Sequence, residues 1–209
     1  RVEMESYPLL TSVGSVRPSS NFGRGENDNT PYGGYYTKEE LKDIVKYCEE
    51  RYIEVIPEFD FPGHTTAVIS AYPELCCTGE KIELKTTAGV FKDILCVGNP
   101  ETLKLIYAVV DEFCEIFPSK YFHIGGDEAP KTRWLNCPKC KAKLQEEGLH
   151  TMDELQGWLV NEVAGYLKKK GRKAICWNES LNGGNLDKDN ITVALWTNKM
   201  DKGVEWANG

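Results

Sequence analysis

The stretch YFHIGGDE, residues 121–128, determines how this chain of 209 residues can be interpreted. Four residues of strand character are followed by two glycines and then by two adjacent carboxylic acids. Glycine adopts backbone conformations that other residues avoid, so Gly125 and Gly126 predict a tight bend with open space beside Asp127 and Glu128. Two neighbouring acids repel each other, which favours the neutral form of one of them. A neutral carboxylic acid can protonate a leaving group, so the stretch predicts a catalytic site.

The acid pair also has a simpler explanation, because the dipole of a helix favours Asp and Glu in its first turn. For an isolated Asp-Glu pair, a helix start would be the preferred interpretation. The two glycines and the preceding His123 change that balance, since they indicate a strand that ends in an open bend. The pair therefore favours a catalytic site over a helix start.

Polar residues follow each segment that has the pattern of a strand. The predicted strands are residues 53–58, 121–124, 173–177 and 191–196. The polar residues at their ends are Glu58, Asp60, His64, Asp127, Glu128, Asn178, Glu179 and Asn198. A single histidine such as His64 is more often a hydrogen-bonded structural residue than a ligand.

Helix start signals stand between these strands. Thr37 with Glu40, and Thr151 with Glu154, have the spacing of a capping box, and Asn99 precedes a proline. The predicted helices run from Thr37 to about Arg51, from Pro100 past Phe113, and from Thr151 to Lys170, and a last helix begins near Asp201. Residues 5–36 predict a long surface loop, and residues 178–190 leave one helix hidden or replaced by a loop.

The alternation of helices and strands predicts a parallel sheet with crossover helices. A doubly wound sheet and a barrel both satisfy this order. The polar strand ends favour a barrel, because barrel enzymes build their active site from several such loops at one face. No glycine-rich phosphate loop follows the first strand, which weakens the dinucleotide-binding alternative.

Composition limits the class of protein and of partner. A hydrophobic content of 41% in 209 residues suffices for one packed domain. The net charge of −7 argues against a nucleic-acid partner or an anionic membrane surface, since both need a basic face. No apolar run approaches the roughly 20 residues of a spanning helix, so no membrane insertion is predicted.

Two tryptophans, Trp177 and Trp196, each end a predicted strand. A single tryptophan at such a position is more often part of the core. Two at the same barrel face could line a sugar pocket, because aromatic faces stack on the apolar faces of sugar rings.

Several segments together resemble one enzyme family. They are GGYYT at residues 33–37, VIPEFDFPGH at 55–64, CVGN at 96–99, HIGGDE at 123–128, WLNCPKC at 134–140 and AICWNE at 174–179. In this order they are similar to the signatures of glycoside hydrolase family 20 β-N-acetylhexosaminidases. The match covers nearly the whole chain, and the HxGGDE hexapeptide is its most specific part.

The resemblance implies a TIM-type (β/α)8 barrel in the α/β class and a retaining, substrate-assisted reaction. The substrate would be a glycan or chitooligosaccharide that ends in a β-linked N-acetylhexosamine. Its 2-acetamido oxygen, rather than an enzyme carboxylate, would attack the anomeric carbon. By this resemblance Glu128 is the general acid, and Asp127 orients the acetamido nitrogen and stabilises its charge. No cofactor and no metal are predicted.

The resemblance also implies roles for five further residues. Trp177 and Trp196 would wall the pocket around the acetamido methyl group. His64 and His123 would support the residues that touch the sugar, and Asp60 belongs with this substrate-binding set.

The family pattern also contains elements that this chain does not match. It has a strand with a sugar-binding arginine before the point that corresponds to Arg1, and a tyrosine, an acid and a tryptophan after the last residues. We therefore expect a partial barrel without about the first one or two and the last two strands, with residues 1–209 as part of a single catalytic domain. The oligomeric state stays open.

Two other classes of function are compatible with these residues. A non-catalytic sugar-binding piece would explain the missing strands. A metal-dependent barrel hydrolase could use His64, His123, Asp127 and Glu128. The chain has only three histidines and no paired-histidine motif at a strand end, which weakens the metal hypothesis.

The eight cysteines offer one motif, the CxxC of Cys137 and Cys140. A zinc ribbon needs a second pair at similar spacing, and the adjacent Cys76 and Cys77 do not supply one. The sequence therefore favours a loop staple or free thiols over a structural zinc site.

Cys77 and Cys96 lie in segments that resemble the family, and two states are open for them. A disulfide between them, with Cys76 as a rival partner, would need an oxidising compartment. A secreted or cell-surface location fits the glycans that the resemblance implies. Reduced thiols in a cytoplasmic enzyme are the equal alternative.

Overall fold

The computed structural model describes residues 1–21, 25–196 and 201–208, so Asn198 lies outside the described residues. The helices are α1 (Leu9–Ser12), α2 (Lys38–Glu49), α3 (Thr66–Ala71), α4 (Pro100–Ile116), α5 (Pro138–Glu146), α6 (Met152–Lys169) and α7 (Asp201–Asn208). The strands are β1 (Val16–Arg17), β2 (Tyr32–Gly33), β3 (Tyr121–His123), β4 (Lys173–Trp177) and β5 (Ile191–Ala194). Within these ranges, no helix has the length and apolar character needed to cross a membrane.

The central sheet is parallel, as the alternating pattern predicts. Its strands have the order β3-β4-β5, with Phe122 paired to Ala174 and Cys176 paired to Val193. Helix α6 makes the crossover from β3 to β4. The crossover from β4 to β5 contains the 3-10 helix Asn178–Gly183 in place of an α-helix, which confirms that a loop replaces a helix there. The C-terminal ends of the parallel strands therefore lie at one edge of the sheet.

The predicted buried strand at residues 53–58 is wrong for most of its length. Only Glu58 pairs, through a parallel bridge to His123. The His123 N–H donates to the Pro57 carbonyl at 2.9 Å, while Ile53 and Ile56 are 55% and 42% exposed. No described strand lies along the outer side of this segment, so its backbone lacks the second ladder that a central strand would have.

The helix start signals act as predicted. Thr37 caps α2 through a capping box, in which its hydroxyl accepts from the Glu40 N–H and its own N–H donates to the Glu40 carboxylate at 2.8 Å. Asn99 and Thr151 cap α4 and α6. The sequence pattern does not predict α3 and α5, which are short and carry weak periodic patterns. Residues 5–36, predicted as a long loop, contain α1 and the antiparallel pair β1–β2.

The hydrophobic core lies between the sheet and helices α4 and α6. Phe122 is 2% exposed and stacks on Phe113 of α4 at 5.8 Å between ring centroids. Side chains of both helices are fully buried, among them Leu105, Ile106, Leu155, Leu159 and Leu167. Each such side chain contributes about 1.5–3 kcal/mol of hydrophobic stabilisation relative to an exposed position.

All eight cysteines are unpaired, so the predicted Cys77–Cys96 disulfide is wrong and the reduced alternative is the one found. The loop that carries both residues folds against the start of α5. As a result Cys77 lies 3.7 Å from Cys140, and Cys96 lies 3.7 Å from Cys137, between sulfur atoms. These distances are well above the roughly 2.05 Å of a disulfide bond.

Glu112 of α4 connects the first residues of the chain to two helices. Its carboxylate accepts from the N–H groups of Glu5 and Ser6 at 2.9 and 2.8 Å, and it pairs with Lys38 at 2.9 Å. Burial opposes the charge of this carboxylate, but the hydrogen bonds from Ser6, Glu5 and Lys38 outweigh it and lower the pKa of Glu112 to about 2. The ionised form is therefore the native one at neutral pH.

We expect Glu112→Ala to lower the free energy of unfolding by about 3 kcal/mol, because it leaves two N–H groups without their acceptor and leaves the mostly buried Lys38 ammonium with only the exposed Glu5 as partner. Chemical denaturation at pH 7 measures this loss. Glu115→Ala, at an exposed position of the same helix, is the matched control and should change stability by less than about 0.5 kcal/mol. Equal effects of the two substitutions would contradict the anchoring role.

Candidate active site

The loops after β3 and after the Glu58 bridge meet at two glycines. A Cβ at Gly125, where φ is +65°, would lie 1.8 Å from Oδ1 of Asp60. That oxygen accepts a hydrogen bond from the Gly126 N–H at 3.1 Å. A Cβ at Gly63 would lie 2.9 Å from the Asp127 carbonyl oxygen. The space that the sequence predicted beside the carboxylates is thus filled by Asp60.

Two non-glycine residues of the site have left-handed backbone conformations. The φ angle is 43° at Glu128 and 53° at His64. Such residues persist when their surroundings over-determine the conformation. The Glu128 N–H donates to the Glu179 carboxylate at 2.8 Å, and the Gly126 carbonyl accepts from the Gln156 amide at 2.7 Å. These bonds hold the loop of residues 125–128 in place.

His64 lies against both acids of the predicted catalytic pair. Its Nε2 atom is 3.4 Å from Oδ2 of Asp127 and 3.2 Å from Oε2 of Glu128. The Asp127 side chain is 13% exposed, whereas that of Glu128 is 36% exposed. Oδ1 of Asp127 is buried and has no hydrogen-bond partner among the described residues. The two adjacent acids therefore occupy different environments, one enclosed and one open to solvent.

Asp60 brings a third carboxyl group into this cluster. Burial, followed by the neighbouring charge of Asp127, raises the pKa of Asp60 to about 8. Asp60 is therefore neutral near pH 7. The adjacent pair predicts one neutral acid among its own two members, whereas the carboxyl group with the raised pKa in the structure is Asp60, from a different loop.

His123 is buried and belongs to a second group of contacts. Its Nδ1 atom is 3.1 Å from Oε1 of Glu58, and this hydrogen bond lowers the pKa of Glu58. The Trp177 indole N–H donates to the same oxygen at 3.3 Å, and the His123 and Trp177 rings are 4.4 Å apart. His123 and its partners thus fix the plane of Trp177.

Trp177 and Trp196 stand beside each other at the ends of β4 and β5. Their ring centroids are 6.3 Å apart, and the ring planes meet at 62°. Trp196 is 48% exposed, and its backbone N–H donates to the side-chain oxygen of Asn178 at 3.4 Å. The two indole rings do not belong to the hydrophobic core. They form a corner beside the carboxyl cluster, which we call the tryptophan corner.

The cluster could also provide ligands for a cation. One ligand atom each from Asp60, His64 and Asp127 lie within 4.8 Å of one another. This group differs from the set considered from sequence, because His123 turns towards Glu58. The proton held at Asp60 competes with a cation for the same oxygens.

The chain is similar to known proteins of one enzyme family. The sequence profile "Glycosyl hydrolase family 20, catalytic domain" matches residues 1–208. The chain is 40% identical over 208 residues to a β-hexosaminidase of Porphyromonas gingivalis, covering 100% of this chain and 26% of that protein. A β-hexosaminidase of Vibrio furnissii is 35% identical over 203 residues, covering 96% of this chain and 33% of that protein. The chain belongs to glycosyl hydrolase family 20.

Solved structures of the same family share the fold. The β-N-acetylhexosaminidase of Bacteroides fragilis superposes with a TM-score of 0.82 at 37% identity, over 100% of this chain and 39% of that one. An exo-β-N-acetylglucosaminidase of Vibrio harveyi, solved in complex with N-acetylglucosamine, has a TM-score of 0.82 at 31% identity, over 100% and 33%. The chain therefore spans well under half the length of these family 20 relatives.

The seven predicted site residues lie at one face and form two groups. Asp60, His64, Asp127 and Glu128 form the carboxyl cluster, and His123, Trp177 and Trp196 form the adjoining wall.

Four supporting residues are not among the site residues that the resemblance implies. Glu58 and Glu179 had a signal, since both stand among the polar residues at the ends of predicted strands. Gln156 and Ser180, which both contact the Gly126 carbonyl, had none, because neither lies in a motif.

Asp60 predicts a pH dependence of stability. The folded chain holds a proton on Asp60 between its ordinary pKa of 3.8 and about 8, where the unfolded chain does not. The stabilisation from this proton is complete below pH 3.8 and is lost as the pH rises to about 8. We expect its contribution to the free energy of unfolding to fall by up to about 1.4 kcal/mol per pH unit in that window.

Asp60→Asn measures this contribution, because asparagine does not titrate and can keep the bond from Gly126. Denaturant unfolding between pH 4 and 9 should give a difference from wild type that changes with pH and levels off above about 8. Asp189→Asn, at an exposed position, should give a pH-independent difference. A flat difference for Asp60→Asn would show that its carboxyl is ionised in the folded state.

Proposed function

We propose that this chain forms part of the catalytic domain of a β-N-acetylhexosaminidase. The reaction removes a terminal β-linked N-acetylglucosamine or N-acetylgalactosamine from a glycan or chitooligosaccharide, with retention of configuration. The observation that carries the proposal is the asymmetric acid pair: one histidine contacts an enclosed Asp127 and a solvent-open Glu128. Substrate-assisted hydrolysis needs two acids with such different surroundings, because only one of them exchanges a proton with the leaving group.

Glu128 is the general acid of the proposed reaction. Its carboxyl group is 36% exposed, so an incoming glycosidic oxygen can reach it. The Glu128 proton passes to that oxygen as the bond to the anomeric carbon breaks. The carboxylate then accepts a proton from the water that opens the intermediate, which restores the acid. The backbone bond to Glu179 keeps the group aimed at the site.

Asp127 acts on the acetamido group. The acetamido oxygen attacks the anomeric carbon and forms a cyclic oxazolinium, which places positive charge on the nitrogen. The Asp127 carboxylate, whose side chain is 13% exposed, can accept the acetamido N–H and stabilise the developing charge. The proton on Asp60 removes the negative charge of that neighbouring carboxyl group, which limits its repulsion of Asp127.

The tryptophan corner provides the shape of the sugar site. Trp177 is held by Glu58 and His123, and Trp196 stands across from it. The acetamido methyl group would pack between the two indoles and so bring the acetamido oxygen under the anomeric carbon. His64 and His123 act by orienting other side chains.

Relatives support this class of substrate. One relative of 32% identity over 183 residues is a lacto-N-biosidase of Bifidobacterium bifidum, and the Vibrio harveyi enzyme was solved with N-acetylglucosamine. For the present chain, the parallel strands and crossover helices support a partial (β/α)8 barrel. Residues 1–209 would be one part of a single catalytic domain.

The two other functional classes make different predictions. A non-catalytic sugar-binding piece would bind a thiazoline analogue of the intermediate without turning over any glycoside. A metal-dependent hydrolase using the Asp60–His64–Asp127 group would be inactive in protein that carries no metal ion at these three residues, whereas the proposed mechanism would turn over without one.

We expect Glu128→Gln in the intact protein to lower the turnover of N-acetyl-β-glucosaminides by about 10²–10⁴-fold, because the amide cannot protonate the leaving oxygen. The loss should be smaller for aryl substrates with acidic leaving groups. Glu49→Gln, at an exposed position on α2, is the matched control. An equal loss for every leaving group would refute the acid role.

We expect Asp127→Asn to slow the reaction by a barrier on the order of 3 kcal/mol while leaving the fold intact. Circular dichroism and the rate with N-acetylated substrates measure the two effects. Wild-type protein should cleave glycosides without a 2-acetamido group poorly. Comparable wild-type rates on plain β-glucosides would show that the substrate does not assist the reaction.

A further inference from the structure

Four of the eight cysteines meet at one point outside the carboxyl cluster. They are Cys77, Cys96, Cys137 and Cys140, and their sulfur atoms all lie within 4.8 Å of one another. The sulfur–sulfur distances are 3.7 Å for Cys77–Cys140, 3.7 Å for Cys96–Cys137 and 3.6 Å for Cys96–Cys140. Sulfurs at the corners of a tetrahedron with zinc–sulfur bonds of about 2.3 Å would be separated by about 3.8 Å.

The cluster is enclosed as a structural metal site would be. Cys96, Cys137 and Cys140 are 1%, 5% and 0% exposed, and Cys77 is half-buried. Structural zinc sites are closed four-ligand sites, and four cysteines are one of their common ligand sets. Four thiols packed together without a metal would gain little, since a thiol is a weak donor and a weak acceptor.

The backbone is shaped to bring the two pairs together. Cys137 and Cys140 flank the first turn of α5, and Cys96 precedes Gly98 in the facing loop. A Cβ at Gly98 would lie 2.1 Å from the carbonyl carbon of Lys139 and 2.4 Å from the Cys140 nitrogen. Only glycine allows the two chain segments to approach this closely, so the sulfurs converge because Gly98 has no side chain.

The neighbouring Cys76 does not belong to the cluster. Its sulfur contacts Thr78 and Asp93 at 3.6 and 3.9 Å. The second pair is therefore one residue of the Cys76–Cys77 dipeptide together with Cys96, nineteen positions further on. A separation of nineteen positions does not match the two-residue spacing of a CxxC pair. For this reason the sequence pattern favoured free thiols or a loop staple over a zinc site.

We propose that Cys77, Cys96, Cys137 and Cys140 together bind one structural Zn²⁺ ion. The four thiol protons leave to solvent as the zinc–sulfur bonds form. Tetrahedral thiolate sets hold zinc or iron, and the closed site without an open position fits a structural zinc ion. Neither the carboxyl cluster nor the proposed hydrolase activity is part of this argument.

The site would connect α5 to the turn that carries His64. Trp134, just before the CxxC, donates its indole N–H to the Leu95 carbonyl at 2.9 Å, and the Leu95 N–H donates to the Pro62 carbonyl at 3.1 Å. Arg133 pairs with Asp93 at 2.9 Å. The metal would fix Cys96, next to Leu95, and Cys137, close to Trp134. It would thereby position the turn at residues 62–64 through the Leu95–Pro62 hydrogen bond.

Metal analysis of the intact protein, purified with reductant and without chelator, tests the proposal. Wild type and Cys76→Ser, the matched control for the adjacent thiol, should each contain about one zinc per chain. Cys77→Ser should fall below about a tenth of that content, and Cys77→His should retain zinc because imidazole is also a zinc ligand. Cobalt(II) added to metal-free wild type should give the visible absorption of a tetrahedral thiolate site.

The proposal is overturned by any of three results. These are wild-type protein without zinc or with iron in its place, unchanged zinc in Cys77→Ser, and Cys77–Cys140 or Cys96–Cys137 disulfides found by mass spectrometry of the native protein. Glu128→Gln should keep its zinc, so failure of the proposed hydrolase activity and failure of the metal site are distinguishable. Chelator should lower the thermal stability of wild type and of Cys76→Ser, but not that of Cys77→Ser.

Discussion

The contact between Asp60 and the backbone of Gly125–Gly126 is the constraint on which the site depends. Asp60 occupies the volume that a side chain at Gly125 would need, and it accepts the next N–H. This contact locks the two strand-end loops together. It brings His64 against Asp127 and Glu128, and it places a carboxyl group beside Asp127 that keeps its proton at neutral pH. The two glycines of the motif therefore serve the packing of Asp60 and do not leave open space at this point.

The acids of the site differ in how far they are buried. Asp127 and Glu128 are adjacent in sequence and share a histidine, yet one is enclosed and the other open. Glu58 is ionised and holds His123 and Trp177, so it belongs to the wall of the pocket. Chemically identical groups thus acquire different tasks, because the free energy of a charge depends on the water and hydrogen bonds around it.

The cysteine cluster, like the site, depends on a close approach of two loops at a glycine. The loop between α3 and α4 contributes no catalytic side chain, yet Leu95 of this loop bonds to Pro62 beside the His64 turn. Gly98 lets that loop touch α5, as Gly125 lets Asp60 touch the acid loop. In both places a missing Cβ decides which polar side chains meet.

Local signals were sufficient for much of the fold and of the site. Capping residues such as Thr37 and Asn99 determined helix starts, because a cap depends on the three or four residues that follow it. The HxGGDE motif and the strand-end tryptophans identified most of the site. The segment at residues 53–58 shows the limit of this approach, since a strand needs a neighbour that its own sequence does not specify.

The sequence by itself determined the starts of α2, α4 and α6, the parallel α/β order and the family to which the acids and tryptophans belong. Only the tertiary structure decided that Asp60 is the carboxyl with the raised pKa, that His123 serves Glu58, and that Cys77 and Cys96 face Cys137 and Cys140 rather than form a disulfide. The reason is the range of the interactions. Caps and turns act over a few residues of chain, whereas desolvation, charge and sulfur geometry act through space between segments that the chain alone does not bring together.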